Sequence, residues 1–249
     1  MPDWDTAWVL APAAALLLGL LALMPLGVQV LARGVVFIDL AVAQVAACGA
    51  LGAAWFIDHP SALQVGLAAA VAAWAGAWLV KGLVRLWPEQ REALIGLLYV
   101  AAACLAVVAA SGDPHGKERL TALLAADVLW APWHGIAVLA GAALAVWAVG
   151  GRRGARWSLD AWFYPVFAGV LSVAVPVLGL YLVFAFLISP ALGVRRGWPF
   201  AWVLLASGAA AAAGLALSWL IDWPSGACVG LALSVLGLSW AGVRRRPAA

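Results

Sequence analysis

Residues 161–194 read AWFYPVFAGVLSVAVPVLGLYLVFAFLISPALGV, about 34 residues without one ionised side chain, and the basic groups on either side decide how they fold. Arg152, Arg153 and Arg156 precede the run, and Arg195 and Arg196 follow it. Membrane proteins hold Lys and Arg in their cytoplasmic loops. Both ends therefore belong on one side, and the chain between them must enter the bilayer and return. At ~1.5 Å per residue the run would reach roughly 51 Å as one helix. That is too long for one crossing of about 30 Å and too short for two full ones. Pro176 and Gly179 break the helical pattern near the middle. The spacing predicts two shortened helices, or a re-entrant pair, meeting near Pro176. Broken backbone at membrane depth is tolerated where protein buries it or where it lines a cavity, and transporters build substrate sites at such breaks.

The rest of the chain agrees with a membrane reading. Of 249 residues, 67% are hydrophobic and 10% are charged, with a mean hydropathy of +1.05. A soluble domain carries about 25% charged residues, so soluble, disordered and disulfide-scaffold classes are excluded. Apolar runs cover 7–32, 62–80, 93–110, 135–150, 197–221 and 223–243, and another, 34–57, is interrupted only by Asp39 and Gln44. All fourteen basic residues except Lys117 and Arg119 then fall on one side, with the N-terminus outside and the C-terminus in the cytoplasm. The segment MPDWDTAW has two acids and no basic residue, so the first run reads as a retained helix and not a secretory signal. Cys48, Cys104 and Cys228 each sit in an apolar run and read as small hydrophobes. Sixteen Trp suit the interfacial belts. No GxxxxGK[ST] occurs, so the chain has no P-loop for ATP. Residues 1–249 read as a single transmembrane domain, with the bilayer as partner and no sign of nucleic-acid binding.

Four segments together resemble the integral permease of metal-ion ABC importers, the zinc/manganese/iron class. They are FIDLAVAQVAACGA at 37–50, EALIG at 92–96, GLYLVFAFLISPA at 179–191 and GLALSWLIDWPSG at 214–226. The last ends in an Asp-x-Pro-x-Gly turn of Asp222, Pro224 and Gly226 that opens the final span. The resemblance implies an all-α polytopic membrane protein of about eight spans with a type II ABC importer-like fold, sited in a bacterial inner membrane. It implies a homodimer with two cytoplasmic ATP-binding subunits and an extracytoplasmic substrate-binding protein, no enzyme activity of the chain's own and no covalently bound cofactor. The stretch from Pro190 to Pro199, with Arg195 and Arg196, would dock into the ATPase. The family pattern in the second span is Asp-Ala-Leu-Ser/Ala-His. Here Gln44 stands where the His aligns, and Asp39 lies one position before the expected acid.

Ionisable groups inside spans are expensive and mark pathways, so Asp39 is the first candidate; a cap near Arg33 is the other reading of it. Asp39 and Gln44, with carbonyls freed at the Pro176–Gly179 break, would form the translocation pathway for a divalent cation. His115 and Glu118, three apart, would share a helix face as an external site. Oxygen ligands alone favour harder ions such as manganese, and imidazole favours zinc or iron. Glu92 in a first helical turn and Asp222 in a turn read as structural. Gln44 leaves a metal chelate or another small nutrient open as cargo, and a non-transporting membrane scaffold is the reading from another class.

Overall fold

The computed structural model describes residues 7–34, 37–57, 60–86, 88, 91–111, 116–124, 126–150 and 160–242. Within them the chain forms ten α-helices: α1 (Ala7–Arg33), α2 (Ile38–Phe56), α3 (Ala62–Leu86), α4 (Arg91–Ser111), α5 (Gly116–Leu124), α6 (Trp133–Gly150), α7 (Asp160–Leu178), α8 (Leu180–Arg195), α9 (Phe200–Ile221) and α10 (Ser225–Gly242). A 3-10 turn, Val128–Trp130, precedes α6. No strand occurs among the described residues. In hydrocarbon each backbone group must be satisfied inside its own segment, which a helix does and an open strand does not. Val9–Arg33, Ala62–Leu86, Trp133–Gly150 and Phe200–Ile221 are long and apolar enough to cross a bilayer, and five shorter apolar helices pack with them. The chain is an all-α polytopic membrane protein.

Close backbone contact sets the relative directions of the helices. A Cβ on Gly27 would overlap the Leu187 carbonyl, and Gly19 lies against the Leu178 side chain, so α1 and α8 run parallel. Leu178, the last residue before the Gly179 break, and Ser189 of α8 meet Gly226 and Gly237, so α10 runs the same way as α8. Helix α2 is antiparallel to α3, with Gly49 at Ala68 and Val45 at Gly76. At one end of the bundle the Arg33 guanidinium lies 4.1 Å over the Phe163 ring at the start of α7. Lys81 and Arg85 in the last turns of α3 and Arg195 at the end of α8 belong to this same basic end. The opposite end gathers the first turns of α6 and α10: Val177 packs on Gly135, and the Ala126 carbonyl packs on Gly226. Phe163, Phe167, Phe186, Leu23, Met24 and Leu171 fill the centre.

The 161–194 segment differs from its sequence expectation in where it breaks. Pro176 is accommodated inside α7, exposed, and the helix runs on to Leu178. The break is Gly179 alone, at φ 79° and ψ 154°, a backbone conformation that an L side chain resists. A proline removes one helical donor and leaves its own φ helical, so it bends a helix more readily than it ends one. The positive φ of Gly179 is what ends it. Helix α7 has 19 residues and α8 has 16, so the pair reaches the α6/α10 end and returns.

Candidate functional site

Asp39 is the second residue of α2, at the basic end, and is 1% exposed. Phe37 holds the N-cap position without a side-chain cap bond, so the acid lies inside the first turn and does not cap it. The helix dipole favours a negative group there. Yet beyond the backbone N–H groups of Asp39 itself and Leu40, in its own helical turn, no donor among the described residues reaches either carboxylate oxygen. Gln44, 3% exposed, likewise leaves its Oε1 without one. Five residues place the two side chains about 140° apart around the helix. They leave α2 in different directions and do not form a two-toothed clamp. Arg33 is turned to other partners: its Nη1 donates to Gln29 Oε1 at 2.9 Å, and its guanidinium covers Phe163. A buried carboxylate held only within its own turn destabilises a fold, so the sequence keeps Asp39 against stability.

Pro176 and Gly179 lie toward the α6/α10 end, away from the first turns of α2. Two carbonyls flanking the break are engaged: Val175 accepts from Gly179 N–H at 2.8 Å, and Gly179 accepts from Val183 N–H at 3.1 Å, while no described backbone N–H across the break reaches the Pro176, Val177 or Leu178 carbonyl.

The external candidates are scattered. His115 lies outside the described residues, Glu118 is exposed on α5, and His134 is exposed at the start of α6. Among the described residues no three His, Cys, Asp or Glu side chains come together in a group suited to a metal ion. Asp127 is a structural acid: its Oδ1 accepts from Leu129 N–H at 3.2 Å and from the Ser225 hydroxyl at 2.6 Å, while Ser225 Oγ accepts from Val128 N–H at 2.8 Å. This network pins the segment before α6 to the first residue of α10. Gly226 completes it, since a Cβ there would overlap the Ala126 carbonyl. Asp222 caps α9 in the left-handed region, at φ 54° and ψ 43°, and is exposed. Trp223 N–H bonds the Ser218 carbonyl behind it, and Pro224 O accepts from Cys228 N–H at 3.1 Å inside α10. The turn reading of Asp222, Pro224 and Gly226 agrees with this geometry.

The stretch from Pro190 to Pro199 is mostly helix and not a loop. Pro190 is buried inside α8, which continues to Arg195. Only 196–199 turn, with Gly197 at φ 83° and Pro199 as the N-cap of α9. Trp198 N–H returns to the Gly193 carbonyl at 3.2 Å, locking the turn to the helix end. Arg195, Arg196 and Pro199 are exposed. Behind them the Trp198 and Trp240 rings pack at 5.1 Å, joining the turn to the last turns of α10. Sequence reasoning missed this pair, because forty residues separate its members and both read as belt tryptophans. It also missed Ser225, whose place just after Trp-Pro in the turn motif was the available signal.

Nine apolar helices among the described residues, a basic end and a buried carboxylate define a polytopic membrane protein with a polar group set into its interior. By sequence, no protein-family model and no curated protein matches the chain. By structure it is similar to "PsaBC from Streptococcus pneumoniae in complex with Fab", with a TM-score of 0.72 and 15% identity over 94% of this chain and 90% of that one. The likeness is one of fold.

Proposed function

We propose that this chain is the transmembrane permease subunit of an ATP-driven ABC importer whose cargo is a divalent metal ion of the zinc, manganese or iron type. Asp39 carries the reading: a carboxylate buried in an apolar bundle, with no described donor outside its own helical turn, suits a cation in transit better than it suits a scaffold. The order of the four motif segments and the fold shared with PsaBC support it. The basic end, with Arg33, Lys81, Arg85, Arg195 and Arg196, is then cytoplasmic, with the N-terminus outside. The chain works as a homodimer. Two ATP-binding subunits engage the Arg195–Pro199 turn, and an external binding protein delivers cargo to the α6/α10 end. Gln44 in place of an imidazole, and the absence of a three-ligand group among the described residues, favour a metal chelate as the second reading of cargo.

Isolation of the tagged chain from its own membrane is the test. An ATPase copurifying with two copies of the chain, and uptake of radioactive manganese or zinc that stops when ATP is depleted, support the reading. Recovery of the chain without an ATPase, or labelling of Arg195→Cys only from outside the cell, overturns it.

A further inference from the structure

We propose that the cleft between α3 and α7 at the basic end holds the phosphate of an anionic phospholipid from the adjoining leaflet. The cleft has a volume of about 140 Å³. Its walls are Trp74, Trp78 and Lys81 from α3 and Tyr164 and Pro165 from α7. Trp74, Trp78, Lys81 and Arg85 follow one another at spacings of four, three and four residues, so one face of α3 carries two indoles and then two cations. The indoles are exposed toward the apolar side, and Arg85 is exposed in the last turn.

Lys81 is half-buried and lines the cleft, its ammonium 4.8 Å from the centroid of the Trp78 ring. That contact uses one side of a cation that carries three donors. No acid among the described residues pairs with it. A lysine stem lying along apolar wall with its head at the interface is the arrangement that recruits acidic lipid, and basic pockets between transmembrane helices bind such headgroups. Acyl chains would lie along the exposed Trp74 and Val71 surface below. The lipid would tie α3 to α7 where Pro165 weakens the first turns of α7. This inference stands on the cleft alone and survives if the importer reading fails.

Native mass spectrometry of the intact protein, extracted from vesicles of equal phosphatidylglycerol and phosphatidylcholine, reads the occupancy. Phosphatidylglycerol should be retained in preference. Lys81→Gln should lower that retention about fivefold, and Lys81→Gln with Arg85→Gln by a further factor of similar size. Lys81→Arg, which keeps the charge, should retain the lipid and separates loss of binding from loss of fold. Equal retention of the two lipids, unchanged retention in Lys81→Gln, or displacement by excess inorganic phosphate would each overturn the proposal.

Discussion

Two acids stand in the opening turn of a helical segment at opposite ends of the bundle, and their surroundings could hardly differ more. Asp127 is exposed, accepts from a backbone N–H and a serine hydroxyl, and joins two segments that lie far apart in the chain. Asp39 is buried and has no donor among the described residues beyond backbone N–H groups of its own turn. A carboxylate held by a distant hydroxyl and a backbone N–H serves the fold, whereas one held only within its own turn bears its desolvation in an apolar bundle. On the proposed reading, the pair separates a structural charge from a functional one.

The comparison breaks most sharply at Asp39. Asp39→Asn should lower metal uptake on the order of tenfold or more, the loss of one charge-assisted contact of ~1.5–3 kcal/mol. Its thermal unfolding midpoint should hold or rise, because the desolvated charge is gone. Uptake measured per folded protein, beside a melting curve, decides it. A lower midpoint with uptake falling in proportion would make Asp39 structural too.

Ser225→Ala attacks the other side of the comparison. It removes the hydroxyl that bridges Asp127 and the buried Val128 N–H, leaving that donor unpaired, and should cost about 1–3 kcal/mol of stability. Uptake per folded molecule should stay at the wild-type level, and a selective uptake defect would assign the α10 start a transport role. Asp127→Asn sharpens the same point with a smaller effect. Its Oδ1 still accepts both hydrogen bonds, so chemical or thermal denaturation should shift by less than about 1 kcal/mol. Asp222→Gly comes last. Glycine relieves a left-handed Cβ that costs ~1–2 kcal/mol and adds ~0.5–1 kcal/mol of chain entropy to be lost, nearly cancelling. Transport and melting should both stay close to wild type; a tenfold loss of uptake would make Asp222 a ligand.

How much of this was legible beforehand varies by residue. Asp39 was visible because an acid in an apolar run has no cheap explanation, and the structure adds that it does not hold the N-cap position of α2 and meets no described donor outside its own turn. The break in 161–194 was visible as a necessity of length and flanking charge. Its position was not, since Pro176 and Gly179 are three residues apart and only the backbone angle at Gly179 distinguishes them. The proposed external pair illustrates the opposite failure. Spacing of three promises a shared helix face, but Glu118 is exposed and belongs to no group of three His, Cys, Asp or Glu side chains among the described residues. The resemblance made Pro190–Pro199 a docking loop, yet Pro190 is carried inside α8, where it is buried.

Membrane residence, helical class, the number of apolar segments and the side on which positive charge collects all follow from composition and order along the chain, because hydrocarbon imposes those requirements on each segment separately. The partnering of Asp127 with Ser225, the isolation of Asp39, the packing of Trp198 on Trp240 and the cleft beside Lys81 do not. Each depends on which helix faces which, and lipid gives helices little hydrophobic reason to choose one neighbour over another. Contacts such as that of Gly27 on Leu187, made between residues remote in sequence, settle that choice, and they exist only once the bundle has closed.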